Sequence, residues 1–422
     1  MPGDATSAAP PLLNPSPTRG EGLYLPAPVA TGLTTYLQTE LDQLAAAGLA
    51  RRRRVLTSPC GRSVSVDGRE LLNFASNDYL GLANHPDIAA ALADGARQWG
   101  AGSGASHLLG GHFAPHERLE KELAAFTGFA RVLTFATGYL ANLAVTPTLA
   151  GRGAAIFADK LNHASLIDAA QLAKAGGATV HRYPHNDMAA LAGQLATSRA
   201  TNKIIVSDSV FSMDGDLAPL PELLRLAQQF DAWLVIDDAH GFGVLGSEGR
   251  GSLAHFGLPA DERILLMGTL GKAAGVGGAF VAGSDTAIEY LLQKGRAYIF
   301  TTAAPPALAA ALCQSLRHIA AGEPLRQRLF ANIARLKDGA AVLPWPLLPS
   351  ATAIQPLIVG DNTAAVALSA ALWERGLWVP AIRPPTVPAG TARLRLSLSA
   401  AHTAEDIDRL LAALREVAVA HG

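Results

Sequence analysis

The chain is poor in cysteine, in net charge and in long apolar runs, and each shortage removes a class of protein. Cys60 and Cys313 are the only two cysteines in 422 residues and stand far apart. Neither a disulfide framework nor a C-x-x-C thiolate site for a metal is indicated, and a reducing, cytoplasmic setting is the expectation. The 34 Lys and Arg residues against 35 Asp and Glu leave a net charge of -1, so nothing favours nucleic acid or an anionic membrane surface. No apolar stretch approaches the roughly 20 residues that span a bilayer, and the N-terminus lacks the cationic start and continuous apolar core of a signal peptide. Internal repeats are absent as well. What remains is a chain long enough for a large core and more than one domain, with small molecules or protein as partners.

Residues 1–32 are rich in Pro, Ala, Gly and Ser without periodicity, the composition of a disordered leader. Leu37, Leu41, Leu44 and Leu49 then recur at helical spacing and run into Arg51-Arg52-Arg53-Arg54. This predicts an amphipathic helix followed by a solvated basic run, from which one arginine would reach an anionic substrate. Asp67-Gly68 marks a hairpin turn, and Pro86 opens a helix towards Trp99. From residue 81 to 305 strand-like and helix-like segments alternate, the pattern of an α/β domain with a mostly parallel sheet covered on both faces. Its candidate strands are Arg131 to Phe135, Ala154 to Ala158, Lys203 to Ser207, Trp233 to Ile236, Ile264 to Met267 and Ala279 to Ala282. Residues 306–422 change rhythm and read as a smaller α+β domain; residues 33–80 form an N-terminal segment of helix and hairpin. In Arg393-Leu394-Arg395-Leu396, alternation puts both arginines on the face opposite the leucines.

Three motifs fail in context. Gly241-Phe242-Gly243-Val244-Leu245-Gly246 matches the dinucleotide fingerprint, but a Ser/Gly-rich loop follows where the fingerprint needs a helix N-terminus. Gly268-Thr269-Leu270-Gly271-Lys272 has its first glycine too close to the lysine for a P-loop, with no Ser or Thr after the lysine to hold magnesium. His112 and His116 have an i, i+4 spacing, yet Pro115 between them argues against a helix that aims both at one metal; no metal site is expected.

The informative residues lie at strand ends. Lys272 follows Leu265-Leu266-Met267-Gly268-Thr269, where an ammonium at the carboxyl end of a buried parallel strand is desolvated enough to form a Schiff base. Asp237 ends the apolar run Trp233-Leu234-Val235-Ile236 and would act either as a helix cap or as the carboxylate that keeps a pyridine nitrogen protonated. His240 lies three residues on. Phe135-Ala136-Thr137-Gly138-Tyr139 is a strand, a small-residue turn and a helix start, a site suited to a phosphate. His163 follows the next strand.

These strings, with Ser76-Asn77-Asp78-Tyr79-Leu80-Gly81, Val210-Phe211-Ser212-Met213-Asp214-Gly215, Asp237-Asp238-Ala239-His240-Gly241 and Thr269-Leu270-Gly271-Lys272, resemble the α-oxoamine synthases. These are fold type I pyridoxal phosphate enzymes that condense an amino acid with an acyl thioester and release carbon dioxide. The resemblance covers everything after the leader. The run Arg383-Pro384-Pro385-Thr386 points within that family to the branch of biotin biosynthesis that joins L-alanine to a pimeloyl thioester, carried by coenzyme A or by an acyl carrier protein.

The resemblance implies pyridoxal 5'-phosphate as cofactor. Lys272 would be its covalent anchor and the acid/base, Asp237 the pyridinium partner, His163 the stacking imidazole, and His240 the partner of the phenolic oxygen. Gly138, Tyr139, Ser212 and Thr269 would line the cofactor, and Asn77 would sit near the reacting atoms. Thr301 and Thr302 would reach the phosphate of a neighbouring subunit, which implies a homodimer. Arg383 would clamp the amino-acid carboxylate. Arg51, counted back from Ser58-Pro59-Cys60-Gly61, would meet the acyl substrate with Arg395 and Thr386, as would one of Arg52 to Arg54 if the count slips. Ala274 stands where relatives carry a larger apolar residue. A glycine- or serine-using synthase such as glycine acetyltransferase, and an inert cofactor-binding scaffold, are the alternative readings.

Overall fold

A computed structural model describes residues 32–421, so the expected leader lies, apart from Gly32, outside the described residues. The chain divides into two compact units after Arg51. The first contributes the helix Gly32–Ala46, with Leu33, Leu37, Leu41 and Leu44 all exposed, and ends on an exposed Arg51.

The second unit begins with a hairpin, β1 (Ser63–Val66) and β2 (Arg69–Asn73). Asp67 and Gly68 turn it with φ of 49° and 79°, as an Asp-Gly two-residue turn requires. The helix Pro86–Trp99 follows with proline in its first turn. A seven-stranded sheet is built from β3 (Arg131–Phe135), β4 (Ala155–Asp159), β5 (Thr179–Tyr183), β6 (Lys203–Asp208), β7 (Ala232–Asp237), β8 (Ile264–Thr269) and β9 (Ala279–Gly283), in the order β3-β9-β8-β7-β6-β4-β5. Strands β5, β4, β6, β7 and β8 run parallel, and β9 is antiparallel to both β8 and β3. Two reversals leave β3 pointing the same way as β8, so the ends of β3, β4, β6, β7 and β8 share one edge.

The strands read as continuous apolar runs because both faces are covered. Phe157, Ile205, Leu234, Ile236, Leu266 and Phe280 pack into one cluster. Their chain neighbours Ile156, Ile204, Val206, Val235, Leu265 and Val281 pack into the other, as the two-residue period dictates. Each such side chain contributes about 1.5–3 kcal/mol by leaving water. Strand β5 is absent from the sequence-based set because Thr179-Val180-His181-Arg182-Tyr183 sits at the sheet edge with only Tyr183 fully buried.

After residue 305 the helices Pro306–Ala320 and Glu323–Ala340 lead to β10 (Ile354–Gly360), the helix Asn362–Glu374, β11 (Leu377–Trp378), β12 (Ala381–Ile382) and β13 (Ala392–Ser397). Strand β13 lies between β10 and β12, while β11 joins the hairpin beside β2. Pro380, which has no N–H for a ladder, separates β11 from β12. Thr403 and Asp406 exchange hydrogen bonds at the start of the last helix, Ala404–His421, in the manner of a capping box. No helix among the described residues is long and apolar enough to cross a membrane.

The small residues after Lys272 have a packing reason. Ala273 and Ala274 are each 1 % exposed, and the Ala274 carbonyl accepts from Ser315 Oγ at 2.6 Å. Gly275 turns the chain with φ +71°, and a Cβ there would lie 2.5 Å from the Ala83 backbone nitrogen. Gly275→Ala combines left-handed strain with a clash against fixed backbone. The variant should lose about 3 kcal/mol in urea unfolding, whereas Gly257→Ala, also at positive φ but with nothing within 4 Å, should lose about 1 kcal/mol.

Candidate active site

The shared edge of β3, β4, β6, β7 and β8 is where an open α/β sheet holds its ligand. Here it encloses a cavity of about 190 Å³ lined by Gly138, Tyr139, His163, Asp237, His240, Thr269 and Lys272, together with Ser165, Asp208, Ala239 and Met267. All seven of the first group were read from sequence.

Asp237 ends β7 at 3 % exposure. Its Oδ2 accepts from Asn142 Nδ2 at 2.8 Å and its Oδ1 from the Ala239 backbone N–H at 3.0 Å. Asp208 lies in register with it on β6 and accepts from the His163 backbone N–H at 2.6 Å. Burial, and then the Asp237 charge, push Asp208 well above the usual carboxylate range. The next residue, Asp238, is pushed up to about 6 by burial despite donors from Ser209 and Ser252.

Lys272 sits in the turn after β8, half-buried. Loss of water pushes its amine down to about 8, with Asp237 opposing and Arg395 adding to the fall. Its Nζ lies 2.9 Å from His240 Nε2. His240 is buried, and burial followed by the Lys272 and Arg395 charges holds its ring well below the ordinary imidazole range. His240 Nδ1 meets the hydroxyl of fully buried Tyr79 at 2.6 Å. That hydroxyl is also 3.1 Å from Asn77 Oδ1, which accepts from Arg395 Nη1 at 3.1 Å. Arg395 further donates from Nε to the Ser212 carbonyl at 2.6 Å. Asn77 and Ser212 therefore join the site through Arg395 and do not line the cavity.

His163 caps the helix Ala164–Ala175, its Nδ1 accepting from the Ser165 N–H and meeting Ser165 Oγ at 2.7 Å. Burial lowers its pKa, with Asp237 opposing. The cavity is also lined by the start of the helix Gly138–Leu149, capped by Thr137, where first-turn N–H groups have no intrahelical partner. A Cβ on Gly138 would meet Met267 and Thr269 at 3.5–3.9 Å, ordinary van der Waals contact. A buried carboxylate, a depressed amine, a helix N-terminus and a threonine hydroxyl lining one cavity fit a pyridine ring that carries an anionic phosphate.

Other expected residues stand elsewhere. Arg383 lines a cavity of about 530 Å³ with Arg52, Arg54, Trp373 and Trp378, and Thr386 is exposed in the turn that follows. Thr302 pairs with Ser106 and is exposed, with half-buried Thr301 beside it. Neither threonine lines the Lys272 cavity. Arg51 belongs to the first unit. The sequence reading missed Tyr79, Asn142 and Asp208. Tyr79 and Asp208 fall inside or beside recognised strings, and Asn142 lies one helical turn after Gly138. The Gly241–Gly246 stretch forms turns followed by a three-residue 3-10 segment at Ser247–Gly249, so no helix N-terminus receives a dinucleotide there.

The amine pKa has a stability consequence in the cofactor-free protein. Below pH 8 Lys272 is an ammonium in both folded and unfolded chains, and the folded state carries the desolvation cost. Above 10.5 it is neutral in both, so this contribution makes stability rise with pH between those values. Lys272→Met should therefore stabilise the apoprotein at pH 7 by up to about 3 kcal/mol, an advantage that shrinks to nothing by about pH 10.5. Urea unfolding across that range measures it, and a pH-independent difference would refute the buried-ammonium account.

Residues 69–414 match the class I and II aminotransferase family. The 8-amino-7-oxononanoate synthase of Dechloromonas aromatica (strain RCB) is 74% identical over 91% of this chain and 99% of its own length. The enzyme of the same name from Herminiimonas arsenicoxydans is 60% identical over 90% of this chain and 98% of its own length. Among solved structures, a serine palmitoyltransferase from S. paucimobilis with a bound PLP–myriocin aldimine superposes with a TM-score of 0.86 at 31% identity, covering 92% of this chain and 99% of that one. An 8-amino-7-oxononanoate synthase from Francisella tularensis gives 0.71 at 30% identity, with 83% and 99% covered. The chain belongs to the 8-amino-7-oxononanoate synthase family, within the class I and II aminotransferases.

Proposed function

We propose that this protein condenses L-alanine with a pimeloyl thioester, releasing carbon dioxide and the free thiol carrier and giving 8-amino-7-oxononanoate for biotin biosynthesis, with pyridoxal 5'-phosphate as cofactor. The observation that carries this reading is the Lys272 amine, lowered to about 8 and held 2.9 Å from His240 in a cavity that Asp237 also lines. When bound, pyridoxal phosphate supplies the electron sink for the pair left at the amino-acid α-carbon.

The chain's own groups do the rest. Lys272 anchors the cofactor and, once displaced by the amino acid, takes and returns the proton at the substrate α-carbon. An amine whose pKa lies near working pH is suited to both directions of that transfer. Asp237, fixed by Asn142 and the Ala239 N–H, holds the proton on the pyridine nitrogen. His240, oriented by Tyr79, donates to the phenolic oxygen. His163 lines the same cavity and would stack on the ring. The first-turn N–H groups of Gly138 and Tyr139, with the Thr269 hydroxyl, would hold the phosphate, and Ser212 acts on the site through Arg395, which donates to its carbonyl. Tyr139 is steadied by its hydroxyl hydrogen bond to Asp168.

Arg383 fixes the alanine carboxylate through its planar fork, and Asn77 acts on the site through Tyr79 and Arg395. Arg395 and Thr386 are the residues of the second unit assigned to the pimeloyl thioester, whose carrier is coenzyme A or an acyl carrier protein. Thr301 and Thr302 complete the phosphate site of the neighbouring subunit in a homodimer.

With L-alanine and pimeloyl thioester, the holoenzyme should form 8-amino-7-oxononanoate with one free thiol per product. Glycine with acetyl thioester should react at least ~100-fold more slowly; the reverse preference would overturn the assignment. Lys272→Ala should lose the visible absorbance of the bound cofactor and lower turnover by ~10⁴-fold or more, and a variant near wild-type activity would remove Lys272 from its role.

A further inference from the structure

We propose that His112, Glu117 and Glu120 form a binding site for a divalent transition-metal ion of the zinc class, with His107 as the group that orients His112. The site is separate from the Lys272 cavity and independent of the function proposed above. It lies on the wall of a cavity of about 500 Å³ that His107, His112, Glu117 and Glu120 all line.

One ligand atom from each of His112, Glu117 and Glu120 falls within 4.8 Å of the others. His112 Nε2 and Glu117 Oε2 are 3.2 Å apart. A tetrahedral ion with ligands at about 2.0–2.2 Å holds neighbouring ligand atoms ~3.3–3.6 Å apart, so this pair already has nearly that spacing. Without an ion the contact requires a proton on Nε2; the ion takes the proton's place.

The surroundings fix these ligands as metal sites require. Glu120 Oε1 accepts from both the backbone N–H and the Oγ1 of Thr134 on β3, each at 2.8 Å. Its carboxylate is anchored while its second oxygen has no hydrogen bond, and it has no ion-pair partner, among the described residues. Glu117 keeps Lys121 at 2.9 Å on Oε1, leaving Oε2 for His112. His112 Nδ1 lies 2.8 Å from His107 Nδ1. With the shared proton on His112, its Nε2 lone pair is directed at the carboxylates. His107 is itself stacked on Tyr298, with centroids 5.1 Å apart and planes 7° apart.

His116, although close, does not serve. Its Nδ1 accepts from the Phe113 N–H at 3.0 Å, so its Nε2–H donates to the Ala304 carbonyl at 2.8 Å, and both nitrogens are used. The sequence reading rejected a metal here because Pro115 would break a helix. Instead Pro115 occupies the first turn of the helix Ala114–Thr127, where proline costs nothing, and the glutamates one turn on supply what His116 does not. One imidazole and two carboxylates suit zinc or a similar borderline ion; calcium would require more oxygens. Binding would tie the start of this helix to the segment that pairs with Thr302 through Ser106.

The test is a calorimetric titration of the holoenzyme with zinc chloride in chelator-free buffer, for wild type, His112→Gln and the exposed-site variant Glu117→Gln. Retained cofactor absorbance reports an intact fold. Wild type should bind one more zinc ion per chain than either variant, or bind it ~10-fold or more tightly, and only wild type should show the matching rise in unfolding temperature. Anomalous scattering from zinc-soaked crystals should place the ion between the three side chains. Equal stoichiometry and affinity in all three proteins, or zinc found only at the separate His85, Asp87 and His318 cluster, would overturn the proposal.

Discussion

Asp237 places a carboxylate at 3 % exposure at the end of a central parallel strand, and much of the site follows from the cost of keeping it there. A carboxylate so far from water needs donors. Asn142 reaches it from the helix after β3 and the Ala239 N–H from its own chain. Asp208 is its register partner on β6, and burial, with the Asp237 charge adding to it, displaces Asp208 upward. The same negative charge attracts the Lys272 amine and limits how far burial can lower it. A carboxylate, its weakly acidic neighbour and an amine poised near 8 thus form one electrostatic unit at the meeting of β6, β7 and β8.

A hydrogen-bonded chain extends that unit across the molecule. From Lys272 it passes to His240, Tyr79, Asn77 and Arg395, joining the turn after β8 to the N-terminal loop and to β13 near the C-terminus. Arg395 is 6 % exposed and gives its other donors to the Ser212 carbonyl and Ser397. Arg393, beside it on the chain, holds Met213 and Asp214. The two arginines that alternate with the leucines are the means by which the last part of the chain grips the loop that carries Ser212.

Local sequence features were legible where one segment decides the outcome. The Asp67-Gly68 turn, the Pro86 helix start, the Thr403 cap and six of the seven strands of the main sheet are set by turn chemistry, capping or unbroken apolar runs. Strand β5 escaped because an edge strand buries little. The three residues missed at the site, Tyr79, Asn142 and Asp208, are polar groups whose roles depend on partners 29 to 161 positions distant in sequence. No pattern in their own neighbourhoods records those partners.

The sequence by itself determined which residues stand at strand ends: Asp237, His163, Thr269 and Lys272 each follow an apolar run, and Gly138 follows a strand and opens a helix. Those are short-range consequences of side-chain period and backbone preference. Only the tertiary structure decided which ends meet, through the strand order β3-β9-β8-β7-β6-β4-β5, because sheet neighbours are chosen by packing and crossover helices and not by proximity in the chain. It also decided the protonation of the site. The lowered amine of Lys272 and the neutral ring of His240 come from burial and from Asp237 and Arg395 on other strands, and desolvation exists only once the chain has closed around them.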